Sequence, residues 1–544
     1  MDSVEVVLAM LLAVVASGYL VRVLPLSLPL PLVQIALGAL IAAFSTHGVT
    51  LDPSIFFLLF LPPLLFLDGW RIPKDGLFRD KGTIIELALG LVLFTVLGAG
   101  YFIHWLIPAM PLPVAFALAA IVSPTDPVAV SSITARVPMP KRLQHILEGE
   151  SLLNDATGLV CFRFAVAAVL TGSFSPASAA LSFLWVALAG LAIGVAVTRI
   201  TTFAQHWLAD YVGEENGSPI LISLLIPFGA YLLAERLHAS GILAAVAAGI
   251  SMSYVELSGR ALASTRVQRT AVWNTIQFAL NGTMFVLLGE QLPDMLRSAA
   301  DSVEQSGHLN RWWLLIYALA ITFGLTLLRL VWVWVSLRLT LFAARKKGEP
   351  MQTPHWRLVL ATSLAGVRGG LTLAGVMALP LALPDGSPFP ARDLAIFLAT
   401  AVILISLVMA GIGLPRLLQG LALPEEPAAQ QQEDHARHTA ALAAIHAIEG
   451  AERKLLLEST DAEIYQLAAT RLIALYQRRL NGSHHDHNEA QMLRQADKIE
   501  TRLRLTAMQA EREAIFRLAR AEEISDATSR RLVREIDLLE SRYR

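Results

Sequence analysis

The chain is poor in cysteine and, over most of its length, poor in charge. Cys161 is the single cysteine among 544 residues, which excludes an intramolecular disulfide framework. Of the 87 Asp, Glu, Lys and Arg residues, only 48 lie within residues 1–423, and 39 lie in the last 121 positions. The chain also lacks a glycine-rich phosphate loop and any kinase or nucleotide-binding signature. We therefore expect no catalytic activity, no cofactor and no nucleic-acid partner.

Long apolar runs make up most of residues 1–423. The composition is 55% hydrophobic, with a mean hydropathy of +0.56. A bilayer core about 30 Å thick needs about 20 apolar residues in a helix, which predicts an all-α polytopic membrane protein with about 13 transmembrane helices. The first run follows an acidic start and has no small-residue cleavage site, so we interpret it as a retained span and not as a signal peptide. The predicted spans are 4–24, 28–45, 53–70, 83–107, 113–133, 146–170, 177–203, 218–237, 241–255, 272–293, 312–343, 356–380 and 391–420.

Lysine and arginine are unevenly divided between the connecting loops. The loops that follow odd-numbered spans hold fifteen of these residues, and the loops that follow even-numbered spans hold four. Because Lys and Arg gather in cytoplasmic loops, we predict that the N-terminus lies outside and that residues 424–544 lie in the cytoplasm. Thirteen crossings agree with this orientation, since an odd number puts the two ends on opposite sides.

Residues 424–544 differ in composition from the transmembrane domain predicted for residues 1–423. A Pro-Glu-Glu-Pro step and a glutamine run open this region, and its stretches 440–457 and 491–518 alternate apolar and charged residues at helical spacing. We predict a helical cytoplasmic C-terminal domain, which is either a regulatory or dimerisation module or a solvated appendage. The histidines of 484–487 resemble a metal-binding tract, but the Asn-Gly pair before them favours a solvated turn.

Two predicted spans, the fifth and the twelfth, are interrupted by residues that break a helix. Such interruptions free backbone groups that lipid cannot satisfy, so they must line a cavity, bind an ion or be buried in protein. Paired interrupted segments in two halves of a chain point to the site of a secondary transporter. If spans 1–6 and 8–13 are two copies, at about 4–170 and 218–420, the broken spans are the fifth of each copy and the repeats are inverted. The interruptions read Ser123-Pro124-Thr125-Asp126-Pro127 and Gly366-Val367-Arg368-Gly369-Gly370.

Polar and ionisable residues cluster at the start of span 6. A charge at membrane depth costs about 2.5–3.5 kcal/mol on insertion scales and marks an ion path by default. Asp155 has no cationic residue within one helical turn, and Asn154 and Ser151 lie close to one face of the same helix. Together with Thr125 and Asp126 of the first interruption, they form a set of oxygen ligands that suits a small hard cation. The sequence therefore predicts a cation- and proton-binding site at these five residues.

Three further charged residues have a structural interpretation. Glu150 is expected to form a buried salt bridge with an intramembrane arginine, and Arg329 is the candidate partner. Arg368, at the second interruption, is expected to offset the negative ends of the broken helices.

The remaining charges of the spans are less specific. Glu148 is expected near the cytoplasmic boundary. Arg163 either extends to the membrane surface or pairs with an acid, and both alternatives stay open. Glu235 and Glu290 lie near span ends, where we expect them to face water.

Four motifs together resemble the monovalent cation:proton antiporter-1 family, the bacterial and animal sodium/proton exchangers, over about residues 4–420. The resemblance implies an inverted-repeat bundle with a crossed pair of broken helices, usually a homodimer, in the bacterial inner membrane. Two departures concern ion selectivity: the acid after the first motif is Asp68, one position later than in many relatives, and Asn281 stands where some relatives have an acid. The motifs read Leu61-Pro62-Pro63-Leu64-Leu65-Phe66, Ser123-Pro124-Thr125-Asp126-Pro127-Val128-Ala129, Glu148-Gly149-Glu150-Ser151-Leu152-Leu153-Asn154-Asp155-Ala156 and Gly366-Val367-Arg368-Gly369-Gly370.

The resemblance also implies roles for single residues. Asp155 would carry either the cation or the proton, with Ser151 and the backbone at Thr125 helping to coordinate the ion. Asp126 would be needed nearby. The same resemblance pairs Glu150 with Arg329 and places Arg368 in the second broken helix.

These expectations combine into a transport hypothesis: exchange of cytoplasmic Na⁺, or of K⁺ or Li⁺, for external H⁺ by alternating access. A carboxyl group removed from water holds its proton more readily, so one buried carboxylate can trade a proton for a metal ion. With Asn154 beside Asp155, and no second acid there, one proton would replace one monovalent ion, and exchange would be electroneutral. A K⁺/H⁺ antiporter is the nearest alternative, and a cation channel and a membrane sensor are the more distant ones.

Overall fold

A computed structural model of the chain describes residues 2–23, 29–44, 53–72, 81–134, 139–171, 176–213, 217–257, 263–305, 312–347, 355–419, 427–458, 462–481, 487–521 and 523–540. The chain divides into two compact units, Met1–Leu423 and Pro424–Arg544. Segments 73–80, 135–138 and 258–262, which hold part of the positive charge used to predict the orientation, lie outside the described residues.

The first unit is a bundle of helices. Within its described residues there is no β-strand, and a single isolated bridge joins Ala382 to Pro388. Its elements are α1 Asp2–Val23, α2 Leu30–Phe44, α3 Pro53–Arg71, α4 Lys81–Ile85, a π-helical segment Glu86–Leu91, α5 Val92–Leu106, α6 Leu112–Val122, α7 Pro127–Thr134, α8 Lys141–Thr171, α9 Pro176–Val212, α10 Ser218–Arg236, α11 Gly241–Glu256, α12 Ala263–Gln305, α13 Trp312–Lys347, α14 Trp356–Leu364, α15 Gly370–Met377 and α16 Arg392–Leu418.

The helices have the length and apolarity that membrane crossing requires. Among the described residues, eight helices are long and apolar enough to cross a bilayer, and Leu30–Phe44, Leu112–Val122 and Gly241–Glu256 are shorter apolar helices. The prediction of an all-α polytopic membrane protein is therefore confirmed, while the count of thirteen spans stays a prediction.

Glycines bring the helices of this unit into close contact. A Cβ atom on Gly289 of α12 would lie 1.9 Å from the carbonyl oxygen of Ile35 in α2, and one on Gly249 of α11 would lie 2.0 Å from that of Phe66 in α3. Because only glycine allows this approach, the backbones pack directly, as small residues permit at helix contacts in membranes. These contacts fix α3 and α12, which form one wall of the site described below.

The second unit contains four helices in its described residues. They are α17 Pro427–Glu458, α18 Ala462–Asn481, α19 His487–Arg520 and α20 Asp526–Glu540. The guanidinium of Arg512 on α19 lies 2.8 Å from a carboxylate oxygen of Asp537 and also donates to Glu540, so it ties α19 to α20. The stretches with helical spacing lie within α17 and α19, and residues 484–486 of the histidine tract lie outside the described residues.

Candidate cation-binding site

The first interruption separates α6 from α7 at Ser123–Asp126. Pro124 and Pro127 have no backbone N–H, so the helical hydrogen-bond ladder cannot continue through them. The backbone N–H of Asp126 instead donates to the carbonyl oxygen of Val367 at 2.8 Å. Its carboxylate accepts a hydrogen bond from the N–H of Ala129, in the first turn of α7, at 3.4 Å.

The second interruption separates α14 from α15 at Ala365–Gly369. Arg368 is 4% exposed, and its Nε donates to the carbonyl oxygen of Val122, the last residue of α6, at 2.5 Å. A helix leaves its last carbonyl oxygens without partners and carries partial negative charge there, so a buried arginine stabilises that end. With the bond from Asp126 to Val367, these contacts make the two broken helices cross, and the predicted crossing is confirmed.

Gly369 has no side chain, and this leaves room for Asp126 at the crossing. A Cβ atom there would lie 1.8 Å from Oδ2 of Asp126, well inside van der Waals contact. A second contact of this kind follows further along α15, where a Cβ atom on Gly375 would lie 2.2 Å from Cδ1 of Ile121. The carboxylate of Asp126 therefore occupies the space that a side chain at position 369 would fill.

Helix α8 is joined to the first interruption through Thr125. The Ser151 hydroxyl donates to the carbonyl oxygen of Thr125 at 2.8 Å, and Nδ2 of Asn154 donates to the Thr125 hydroxyl at 3.0 Å. All three side chains are at most 6% exposed. Oδ1 of Asn154 is buried without a hydrogen-bond partner among the described residues, so it remains an unused acceptor next to Thr125.

Glu150 and Arg329 form a buried ion pair behind this contact. The Arg329 guanidinium donates to both oxygens of Glu150, at 2.5 and 2.8 Å, and the exposed fractions of the Arg329 and Glu150 side chains are 3% and 1%. Arg329 also donates from Nε to the carbonyl oxygen of Thr362 in α14 at 3.0 Å. The Thr125 hydroxyl donates to Glu150 at 3.4 Å, so the pair links α8, α13 and both broken helices.

The broken helices, α3, α8 and α12 enclose a cavity of about 60 Å³. By this measure a cavity needs about 10–15 Å³ to hold one water molecule, so the cavity has room for a small cation and a water molecule. The predicted ligands Asp155, Asp126, Thr125 and Ser151 line it. The predicted ligand Asn154 does not line it but bonds to Thr125, as does Glu150, while Arg329 bonds to Glu150 and Arg368 to Val122. The other lining residues are Leu61, Leu64, Leu65, Asp68, Pro124, Asn281, Met284, Gly369, Gly370 and Thr372.

Asp68 and Asn281 were not among the five predicted site residues. Both were noted only as departures from the family pattern, yet both line the cavity, on the wall that α3 and α12 form. The signal available for Asp68 was an acid within an apolar helix, which by default marks an ion path. Asn281 carries no charge, and nothing in its local sequence distinguishes it.

The less specific charges lie outside the cavity. Arg163 pairs with Glu235 at 3.2 Å, and both are partly exposed, so of its two alternatives pairing is the one that the structure has. Glu148 is half-buried and accepts a hydrogen bond from Gln144 at 2.8 Å. The expectation that Glu290 faces water is wrong, because it is 3% exposed where α12 packs closely against α2.

Known sodium/hydrogen exchangers match this chain in sequence. The family model described as sodium/hydrogen exchanger, transmembrane, matches residues 9–420. The chain is 39% identical over 543 residues to the uncharacterized Na⁺/H⁺ exchanger YjcE of Escherichia coli strain K12, with 98% of each protein covered. It is also 39% identical over 547 residues to the sodium, potassium, lithium and rubidium/H⁺ antiporter of Bacillus pumilus, which covers 99% of this chain and 78% of that protein.

Solved structures show the same fold. The sodium proton antiporter MjNhaP1 from Methanocaldococcus jannaschii matches with a TM-score of 0.58 and 18% identity, over 77% of this chain and 99% of that one.

Proposed function

The chain belongs to the sodium/hydrogen exchanger family, and we propose that it exchanges Na⁺ for H⁺ across the bacterial inner membrane by alternating access. The observation that carries the proposal is the cavity at the crossing of the broken helices, where Asp155 shares the lining with the oxygens of Thr125, Ser151 and Asp126. A carboxylate with neutral oxygen ligands beside it is the environment that a small hard cation prefers.

Competition for Asp155 couples the two fluxes. Removal from water disfavours the charged form of a carboxyl group, so the group is stable either as the acid or with a cation beside it. The Thr125 carbonyl accepts one hydrogen bond from Ser151 and keeps a second lone pair for the ion. Because proton and cation exclude each other at this carboxylate, each can cross only in exchange for the other.

The stoichiometry depends on Asp155 being the carboxyl group that exchanges its proton, while Asp126, which accepts a hydrogen bond from the N–H of Ala129, and Asp68 line the same cavity. Asn154 is neutral and its amide nitrogen is held by the Thr125 hydroxyl, so it adds no second proton to the exchange. We propose that one H⁺ replaces one cation and that exchange is electroneutral.

We propose Na⁺ as the main transported cation, with K⁺ and Li⁺ as further substrates. Support comes from the Bacillus pumilus relative, which is named as an antiporter of sodium, potassium, lithium and rubidium. We further propose a homodimer with an outside N-terminus and a cytoplasmic C-terminal unit.

Everted membrane vesicles test the exchange directly. A dye quenched by respiration-driven acidification should regain fluorescence when Na⁺, K⁺ or Li⁺ is added, and Asp155→Asn should abolish that response. Asp210→Asn, the same substitution at an exposed position on α9, is the matched control and should respond like the unmutated protein. Unitary currents in place of coupled exchange would favour a channel, and no cation response at normal protein abundance would favour a sensor.

A further inference from the structure

A polar track leads from the cavity along two facing helices. Asp68 on α3 and Asn281 on α12 line the cavity. Three residues further along α3 is Arg71, and four and seven residues earlier on α12 are Gln277 and Asn274. Residues three, four and seven apart lie on one face of a helix, so these side chains form the next layer beyond the cavity.

Arg71 closes this layer by contacts to both α12 residues. Its Nη1 donates to Oε1 of Gln277 at 2.7 Å, and its Nη2 donates to Oδ1 of Asn274. Arg71 and Asn274 are exposed, Gln277 is half-buried, and Asn281 is half-buried in the cavity wall. The polar side chains therefore form a line from the exposed Arg71 and Asn274 to the cavity wall, and the orientation predicted from the loop charges puts the exposed end in the cytoplasm.

The hydrogen-bond partners of Arg71 hold its guanidinium without neutralising it, and the nearest opposite charge is the Asp68 carboxylate, one helical turn earlier on α3, which interacts with Arg71 through space without a salt bridge. Both acceptors are carboxamide oxygens, which carry no net charge. In the part of the chain that the structure describes, no carboxylate lies within salt-bridge distance of Arg71. Two other arginines of the membrane unit differ in this respect, because Arg329 pairs with Glu150 and Arg269 pairs with Glu256.

We propose that Arg71, held by Asn274 and Gln277, is an electrostatic barrier on the cytoplasmic access route and weakens the apparent affinity for the cation. The inference rests on the proposed function of the cavity. A cation moving to Asp155 along this track passes a fixed positive charge, which raises its energy at the site. Exchange then needs a high cytoplasmic cation concentration, so Arg71 determines the concentration at which the protein becomes active.

The size of the effect follows from the geometry. One helical turn and the side-chain length put the guanidinium about 10 Å from a cation in the cavity, where loss of a unit charge changes the affinity about two- to tenfold at an effective dielectric constant between about 25 and 80. The effect should shrink as added salt screens an exposed charge.

Three variants test the barrier in everted vesicles that contain equal amounts of protein. Arg71→Gln should lower the KM for Na⁺ about two- to tenfold, and added choline chloride should reduce this difference. Arg71→Lys keeps the charge but loses the two-pronged contact, so its KM should stay near that of the unmutated protein. Arg266→Gln, which removes an exposed arginine from the start of α12, is the control and should leave KM unchanged.

A purely structural role predicts a different pattern. In that case Arg71→Lys and Arg71→Gln would behave alike, and an equal or higher KM in Arg71→Gln would overturn the proposal. The unmutated protein tells the two possible failures apart. If it exchanges Na⁺ for H⁺ and the Arg71 variants have the same KM, the barrier is wrong and the proposed function stands. If it does not exchange the ions, the proposed function is wrong.

Discussion

The buried pair of Glu150 and Arg329 makes the strongest energetic prediction. Both side chains are almost fully buried, and two hydrogen bonds join them. Arg329→Met leaves the Glu150 carboxylate in the bundle without its partner. Loss of one member of a buried pair costs about 3–5 kcal/mol, so we expect the free energy of unfolding to fall by about that amount.

Equilibrium unfolding in mixed detergent micelles measures this change. Replacing both residues by apolar ones of similar size, in Glu150→Leu with Arg329→Met, should recover most of the loss, because the uncompensated charge disappears with its partner. The control is Arg338→Met on the same helix, where the exposed guanidinium lies 5.3 Å from the centre of the Trp334 ring. That exposed contact contributes about 0.5–1 kcal/mol.

Two results would refute this reasoning. One is an Arg329→Met protein within about 1 kcal/mol of the unmutated one, the upper range of exposed pairs. The other is a double variant whose loss of unfolding free energy equals the sum of the losses in Glu150→Leu and Arg329→Met measured singly. Such additivity would mean that the two residues do not interact.

Two further predictions concern the crossing point and the stoichiometry. Gly369→Ala puts a Cβ atom 1.8 Å from the Asp126 carboxylate, so it should displace that group and abolish cation-dependent proton flux. Gly217→Ala, with no atom within 4 Å of the new Cβ, should transport normally. Asn154→Asp adds a second carboxyl group beside Asp155, so exchange in proteoliposomes should become sensitive to membrane potential. Sensitivity already present in the unmutated protein would contradict one-to-one exchange.

The helical breaks were predictable because their causes are local. Pro124 and Pro127 lack the N–H that a helix needs, and the residues around Arg368 combine glycine with a charge at membrane depth. The interruptions at Ser123–Asp126 and Ala365–Gly369 follow directly. The spacing of Ser151, Asn154 and Asp155 likewise put these residues near one face of α8.

Other features depend on packing between distant segments and could not be predicted. Arg163 and Glu235 are 72 residues apart and meet because α8 lies against the α10–α11 connection. Asp68 lines the cavity only because α3 is fixed against α11. The π-helical segment Glu86–Leu91 has no proline to announce it, and it packs so closely on α13 that a Cβ atom on Gly90 would lie 2.6 Å from the Trp332 ring.

Proton release on cation binding tests the competition at Asp155 most directly. Purified protein is titrated with Na⁺ by calorimetry in buffers of different ionisation enthalpy, which reports the number of protons released for each ion bound. At a pH where the Asp155 carboxyl group is protonated, we predict the release of about one proton for each Na⁺ bound. In Asp155→Asn we predict no proton release on Na⁺ addition. Na⁺ binding without proton release at every pH, or unchanged release in Asp155→Asn, would contradict the account.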